Sequence, residues 1–175
     1  MEEFYSRHER LHDLADAEAS WQSRDDLIRL TSSPDPNRRL LGLILMFEQI
    51  DEGISSEEYI EIARQLVGDP DNDCRWKALS VIGKFAERAP EAVWGVVSEF
   101  GESEDEDMRD GVACVLLEHL LEYHFDLVFP RLKERIEGGA RLLADTLGRC
   151  YAFGQAKDRW REVETLLRDS RGGNS

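Results

Sequence analysis

An arginine recurs along this chain at intervals of 36, 34 and 32 residues, and each one opens a segment whose apolar residues follow helical spacing. A spacing that drifts by only two residues at each step indicates an internal repeat. Repeats of this length stack on one another, because a single unit cannot bury its apolar face alone. The four segments begin at Arg39, Arg75, Arg109 and Arg141.

An acidic or proline-containing turn precedes each of the first three arginines, at residues 33–37, 68–73 and 102–107. Asp and Asn side chains in such turns accept hydrogen bonds from free amides at a helix N-terminus, and their charge complements the helix dipole. The fourth turn, at residues 137–139, carries glycines instead. The pattern predicts a helix that begins near each arginine.

A second amphipathic helix is predicted before each arginine segment, so the repeating unit is helix, turn, helix. Pro90 suits the first turn of one such helix, and Asp126 is the expected N-cap of another. No segment shows the sustained period-two alternation of a strand. These leading helices cover about residues 24–30, 57–67, 90–100 and 126–136.

The pattern therefore predicts an all-α fold in a single domain over residues 1–170. Within it we expect an N-terminal capping helix in 1–22, repeats in 23–153 and a closing helix in 155–170, and beyond it a flexible tail in 171–175.

The run DNDCRWKALSVIG at residues 71–83 resembles the HEAT-repeat family, and residues 105–116 resemble it more loosely. The resemblance extends over residues 23–153. It implies a right-handed α-α superhelix of about four helix pairs that serves as a protein-binding scaffold. Some relatives are instead DNA glycosylases of alkylation repair, and others act on bilin pigments.

The resemblance also implies contacts between repeats and a concave binding face. A ladder of turn aspartates and arginines would place Asp73 with Arg75 and Asp107 with Arg109. The arginine-bearing helices would line the groove. When the polar stripe of the second repeat is shifted by the repeat intervals, the predicted groove residues include Glu48, Lys77, Lys84 and Glu118.

Acidic residues outnumber basic ones by 37 to 22, which gives a net charge of −15 at pH 7. The excess lies in residues 1–120, which hold 28 acids and 12 bases, whereas residues 121–175 hold 9 and 10. A negative surface repels nucleic-acid phosphate and anionic membranes and speeds the capture of a basic protein. We therefore expect a protein partner with a basic surface, no membrane binding and no general nucleic-acid binding.

The turn at residues 102–107, which we call the acidic turn, is a second candidate binding surface beside the concave groove. The sequence does not choose between them. Its candidate residues are Glu104, Asp105, Glu106 and Asp107. The expected function is that of a non-enzymatic scaffold. Alternatives are an immunity or inhibitor protein that neutralises a basic toxin or nuclease, and a DNA glycosylase, although a glycosylase would need a basic concave wall.

Cysteine usage and the N-terminus favour a reducing, cytoplasmic location. Cys74, Cys114 and Cys150 are far apart and odd in number, so they offer neither a disulfide framework nor a four-cysteine zinc site. The chain start lacks the basic and apolar regions of a signal peptide. Apolar runs are also too short to span a bilayer.

The segment His8-Glu9-Arg10-Leu11-His12 matches the H-E-x-x-H pattern of zinc peptidases. A longer zinc motif would require glycine and histidine where Ala15 and Glu18 stand. We therefore expect no metal, cofactor or catalytic residue, while zinc binding by His8 and His12 stays an open alternative. Oligomeric state is likewise left open.

The remaining histidines and the tryptophans are expected to serve packing. His119 lies on a predicted apolar stripe and is interpreted as a core histidine, and His124 as a charge near a helix C-terminus. The tryptophans, which have apolar neighbours, are Trp21, Trp76, Trp94 and Trp160.

Charge reversal at Lys84 or Glu118 is predicted to weaken partner binding without unfolding the protein. Surface substitutions change stability by only about 0.5 kcal/mol, whereas breaking a desolvated interfacial charge pair costs about 2–5 kcal/mol. Affinity and the urea midpoint should be measured for each variant. If both charge-reversal variants bind the partner as wild type does, while substitutions in residues 102–107 abolish binding, the partner is recognised at the acidic turn.

Overall fold

Every regular element in the described part of the chain is helical, which confirms the all-α prediction there. The structure is a computed structural model that describes Leu11 and residues 23–54 and 56–172. The predicted N-terminal helix, His8, His12 and Trp21 lie outside these residues. Among the described helices, none has both the length and the apolar character needed to cross a bilayer.

The chain divides into two compact units, residues 1–81 and 82–175, with the boundary inside one helix. The single repeat domain predicted over residues 1–170 stays a prediction. The first unit contains helices α1 (Arg24–Thr31), α2 (Pro36–Asp51), α3 (Glu58–Arg64) and most of α4 (Asn72–Gly83).

Helices α1 and α2 begin at side-chain caps of the predicted kind. Ser23 accepts a hydrogen bond from the amide of Asp26 over 3.2 Å, and Asp35 accepts one from the amide of Asn37 over 2.9 Å. Pro36 stands at the first position of α2, where its missing N–H costs nothing. The start of each helix thus follows from a short local sequence.

The core of the first unit is aliphatic and closes around the α1–α2 contact. Its largest fully buried side chains are Leu27, Leu30, Leu43, Ile44, Met46, Ile60 and Leu79. Gly42 lets the two helices approach closely, because a Cβ there would lie 2.8 Å from Thr31 Cγ2 and 2.9 Å from Leu30 Cβ. A buried hydrogen bond of 2.5 Å, donated by the Tyr59 hydroxyl to Gln49 Oε1, joins α3 to α2.

The second unit is built around one long, interrupted helical segment. Helix α6 runs into a π-helix and then into α7, so that residues 106–137 form a continuous helical path. The elements are α5 (Pro90–Phe100), α6 (Glu106–Gly111), the π-helix Val112–Leu117, α7 (Glu118–Glu137), α8 (Arg141–Leu147) and α9 (Gly154–Gly172).

Helix α7 is kinked at His124, whose φ of −137° and ψ of 43° are not helical. The Gln155 side chain accepts a hydrogen bond from Phe125 N over 3.2 Å and donates one to Tyr123 O over 2.6 Å, so it bonds backbone groups on both sides of the kink. The predicted N-cap role of Asp126 is wrong, because its carboxylate pairs with Arg159 instead. Sequence reasoning missed the cap because it lies 30 residues away.

His124 lies at this kink, where the helical stretch that begins at Glu118 ends, which agrees with its predicted place near a helix C-terminus. Its Nε2 is 2.7 Å from the carbonyl oxygen of Glu87. The imidazole therefore bonds a carbonyl of another segment rather than its own helix end.

An arginine whose side chain is only 13% exposed holds the turn before α2. Arg39 donates to the carbonyl oxygens of Ser33 and Pro34, each over 2.9 Å, and bonds both carboxylate oxygens of Asp69 over 2.7 and 2.9 Å. Asp69 Oδ1 also accepts from the amide of Asp71, so the guanidinium connects two successive turns. This contact links the turn before α2 to the turn before α4 within the first unit.

Arg109 repeats this arrangement in the second unit. It donates to the carbonyl oxygens of Ser103 and Glu104 over 2.6 and 3.2 Å, and to Asp145 over 3.0 Å. In the ladder implied by the HEAT resemblance, Arg109 was expected to meet Asp107, and it pairs with Asp145 instead, whereas Arg39, for which no acid was expected, pairs with Asp69. The acids are Asp69 and Asp145, and the arginines Arg39 and Arg109 do join segments that are 30 and 36 residues apart.

The substitution Gly42→Ala is predicted to destabilise the protein by about 1–3 kcal/mol, because the new methyl group overpacks the α1–α2 contact. Gly95→Ala is the matched control. A Cβ at Gly95 meets no described atom within 4 Å, and alanine in a helix interior should add about 0.5–1 kcal/mol. Urea unfolding measures both, and a Gly42→Ala variant as stable as wild type would contradict the close approach.

Candidate functional site

The predicted groove residues of the first unit are half-buried. The Lys77 ammonium lies 4.5 Å from the centre of the Phe47 ring, beside Glu48 in sequence, so α4 and α2 share this part of the surface. Lys84 is exposed and belongs to the second unit. The structure thus places Lys77 against the Phe47 ring of α2 within the first unit.

Glu118 is not a groove residue, and this part of the sequence prediction is wrong. Its residue surface is only 7% exposed, and Glu118 Oε1 accepts a hydrogen bond of 2.8 Å from the amide of Tyr151. Burial raises the pKa of this carboxyl group, and the Tyr151 amide opposes the shift only in part. Charge reversal here would bury a lysine against the fold, so loss of binding would not report on a partner.

Two exposed aromatic side chains lie in the loop that Glu118 holds, and a third lies in α7. Tyr151 is 70% exposed, Phe153 47% and Tyr123 39%. We call these three residues the aromatic platform. Sequence reasoning did not select it as a site, although tyrosine and phenylalanine in a short glycine-flanked loop between two helices were a usable signal.

Contacts made by Tyr151 and Gly154 place the loop of the aromatic platform against the start of α7. Tyr151 is bonded to Glu118, while Gly154 touches Glu122, four residues further along the helix. Four helical residues span about 6 Å, so the loop runs alongside one turn of α7. A Cβ at Gly154 would lie 2.8 Å from the carbonyl oxygen of Glu122, and its φ of +45° also favours glycine.

Much of the acidic turn serves the fold. Asp105 is the N-cap of α6 and accepts a hydrogen bond from the amide of Asp107 over 3.0 Å. Glu102 pairs with Arg135, and Glu106 with Arg149 over 2.9 Å. Glu104, Asp105 and Glu106 are exposed, and Asp107 is half-buried.

Arg149 is the centre of a charge network at the end of α8. It pairs with Asp110, with Glu106 and, over 2.9 Å, with Asp145. Asp145 also accepts from Arg109. Although desolvation opposes it, hydrogen bonds from the two arginines hold the pKa of Asp145 below its usual range. The network connects the acidic turn to α8, so residues 102–107 are not a free loop.

His119 is half-exposed rather than buried. Its side chain is 45% accessible, and Nδ1 lies 3.2 Å from Glu122 Oε2. The core-histidine interpretation is therefore wrong. The interpretation assumed regular α-helical spacing from Val112 onward. The π-helix Val112–Leu117 has more residues per turn, so His119 is rotated away from the apolar face and toward solvent.

The side chains offer little support for nucleophilic or metal chemistry. Desolvation raises the pKa of all three cysteine thiols, to about 12 for Cys74, which is the opposite of an activated thiolate. Among Leu11 and residues 23–54 and 56–172, no group of three potential ligands could hold a metal ion. The zinc alternative at His8 and His12 is outside these residues.

A groove of about 630 Å³ lies between the end of α7, α8 and α9. Apolar side chains such as Ile136 and Leu166 line it. Its charged residues carry both signs, so the groove shows no electrostatic preference for one class of ligand. They are Glu137, Arg141, Asp145, Asp169 and Arg171.

Comparison with protein-family models, curated proteins and solved structures finds no significant match to this chain. The resemblance to HEAT repeats therefore stays a prediction.

The substitution Glu118→Gln is predicted to stabilise the protein increasingly as pH rises from about 4 to about 7. Because burial raises the pKa of Glu118 in the folded state, its contribution is full below the unfolded pKa and is lost as pH rises through the folded pKa. Glutamine does not ionise, so it removes this loss of stability. Its amide oxygen can still accept the hydrogen bond from the Tyr151 amide.

Urea unfolding at several pH values tests this, with Glu134→Gln at an exposed position of α7 as the control. The control should track wild type at each pH. If the free energy of unfolding of Glu118→Gln changes with pH just as that of wild type does, the Glu118 carboxyl group is not buried as described.

Proposed function

We propose that this chain is a non-enzymatic, HEAT-like helical-repeat scaffold that binds a protein partner with a basic surface. The repeat organisation in four helix pairs is part of the proposal. It is supported by the arginine that ties a turn to a later segment in each of the two units.

The observation that carries the proposal is the pairing of arginines with the chain's own carboxylates. Eight arginines of the described residues form ion pairs with the chain's own carboxylates, and so they are engaged within the protein rather than offered to an anion. They are Arg24, Arg29, Arg39, Arg109, Arg131, Arg135, Arg149 and Arg159. Among the described residues, exposed acids also outnumber exposed bases, so the charge that reaches solvent there is mainly that of carboxylates.

Such a surface favours a basic protein over nucleic acid. Clustered carboxylates repel phosphate, whereas they steer a positively charged partner and raise its association rate. A toxin or nuclease with a basic surface fits the same chemistry, so neutralisation of such an enzyme is one form that this binding function could take. A damaged-base glycosylase would require a basic wall, which this charge distribution disfavours.

Reversing exposed acids is predicted to slow association with a basic probe by several-fold at low salt. The test variant is Glu61→Lys/Glu104→Lys/Glu164→Lys, and the probe is a labelled oligolysine peptide. The matched control is Arg38→Glu/Lys157→Glu/Arg168→Glu, at positions that are equally exposed. The control should associate as fast as wild type or faster.

High salt should remove the difference between the variants, because screening shortens the reach of exposed charges to about 10 Å at 0.1 M. If wild type fails to bind the peptide, or if both variants bind alike at low salt, the proposal is wrong. Affinity capture with mass spectrometry would then identify what the chain does bind.

A further inference from the structure

Two of the three cysteines lie on facing segments of the second unit. Cys114 stands in the π-helix and is exposed, whereas Cys150 follows α8 and is buried. The Sγ atom of Cys150 lies 3.6 Å from the carbonyl oxygen of Ala113, which directly precedes Cys114. That oxygen and the next Cα are about 2.8 Å apart across a trans peptide, so Cys150 Sγ lies within about 6.4 Å of the Cα of Cys114.

Contacts on both sides of Cys150 hold its segment against the helical path. The Arg149 side chain pairs with Asp110, and the Tyr151 amide donates a hydrogen bond of 2.8 Å to Glu118. The buried thiol therefore lies beside the stretch of helix between these two acids.

Cys114 is at the middle of that stretch. Asp110, Cys114 and Glu118 are spaced by four residues, so they stay near one face in α- and π-geometry, where hydrogen bonds join residues four and five apart. Electrostatics agree with this placement. Burial raises the pKa of the Cys150 thiol, and the Glu118 carboxylate and the Cys114 thiol raise it further, so the two thiols are within electrostatic reach of each other.

The accessibility of the two thiols gives them different chemical roles. Of the three cysteines only Cys114 is exposed, so a small oxidant can reach it, whereas Cys150 can react with it only from inside the fold. An accessible cysteine beside a second, resolving cysteine is the arrangement of a reversible redox pair. The π-helix that carries Cys114 is also a rare geometry that occurs frequently at functional sites.

We propose that Cys114 and Cys150 form a reversible disulfide under oxidising conditions, which ties the segment after α8 to the π-helix. A disulfide needs Cα atoms within about 7 Å of each other, and the contact between Cys150 and Ala113 permits this. The inference goes beyond the proposed function and does not depend on the identity of a partner.

The oxidant is a small-molecule disulfide such as oxidised glutathione. The Cys114 thiolate attacks one glutathione sulfur, the glutathione disulfide bond breaks, and one glutathione thiolate leaves. The Cys150 thiolate then attacks the Cys114 sulfur of this mixed disulfide and displaces the second glutathione. The protein loses two electrons and two protons, and two glutathione thiols carry them away.

The exchange should be slow near neutral pH and faster as pH rises. Burial raises the pKa of both thiols, and only the thiolate attacks a disulfide. The rate should increase by about tenfold for each unit of pH, because the thiolate fraction does so below the pKa. The pair is therefore a slow tie rather than a rapid sensor.

The test incubates the folded chain with excess oxidised glutathione, alkylates the remaining thiols and maps the peptides by mass spectrometry without reduction. The expected product is a peptide pair joined through Cys114 and Cys150, two hydrogens lighter than the separate peptides. Dithiothreitol should reverse it. Because the link restricts the unfolded chain, the thermal midpoint should rise by about 5–10 °C over that of the reduced protein.

Two variants serve as controls. Cys74→Ala removes the buried cysteine of the first unit, and it should form the same disulfide with the same shift of the midpoint. Cys150→Ala should keep glutathione attached to Cys114 and show no such shift.

Wild-type protein by itself decides the question. A mixed disulfide that persists at Cys114 while Cys150 stays a free thiol would show that the two sulfurs do not meet, and this overturns the proposal. A Cys114–Cys114 link between two copies, no reaction at either residue, or an internal disulfide that leaves the midpoint unchanged or lower overturns it as well.

Discussion

Two largely buried guanidinium groups organise the turns of this protein. Each of Arg39 and Arg109 reaches back to two carbonyl oxygens of the turn before its own helix and forward to a carboxylate in a later segment. A charge-assisted hydrogen bond contributes about 1.5–3 kcal/mol, and a buried arginine without its acid would be costly. The turn, its helix and the later segment are therefore ordered together.

This use of arginine also shapes the surface. Arginines are engaged by the protein's own carboxylates, and exposed acids still outnumber exposed bases among the described residues. The acidic turn at 102–107 illustrates the point, since it contributes a helix cap and two ion pairs and still leaves Glu104 exposed. Structural and binding roles of the same acids are thus not exclusive.

The loop that carries Tyr151 and Phe153 is held indirectly by these ion pairs. This loop follows α8, which the Arg149 network ties to the acidic turn, and precedes α9, whose Gln155 bonds the α7 kink. Glu118 adds a buried carboxylate that accepts from the Tyr151 amide at the cost of desolvation. A charge placed inside in this way is expensive for stability but fixes the loop that carries the exposed rings.

The sequence by itself determined the helical class, the caps at Asp35 and Asp105, and the sign of the surface charge, because these depend on neighbouring residues or on composition. Tertiary structure decided the rest. The acid that meets each arginine, the burial of Glu118 and the outward turn of His119 depend on contacts or helix register beyond the local pattern. Period and capping predict which face of a helix is apolar, but only the packing of distant segments decides which polar group is enclosed and which ring stays in water.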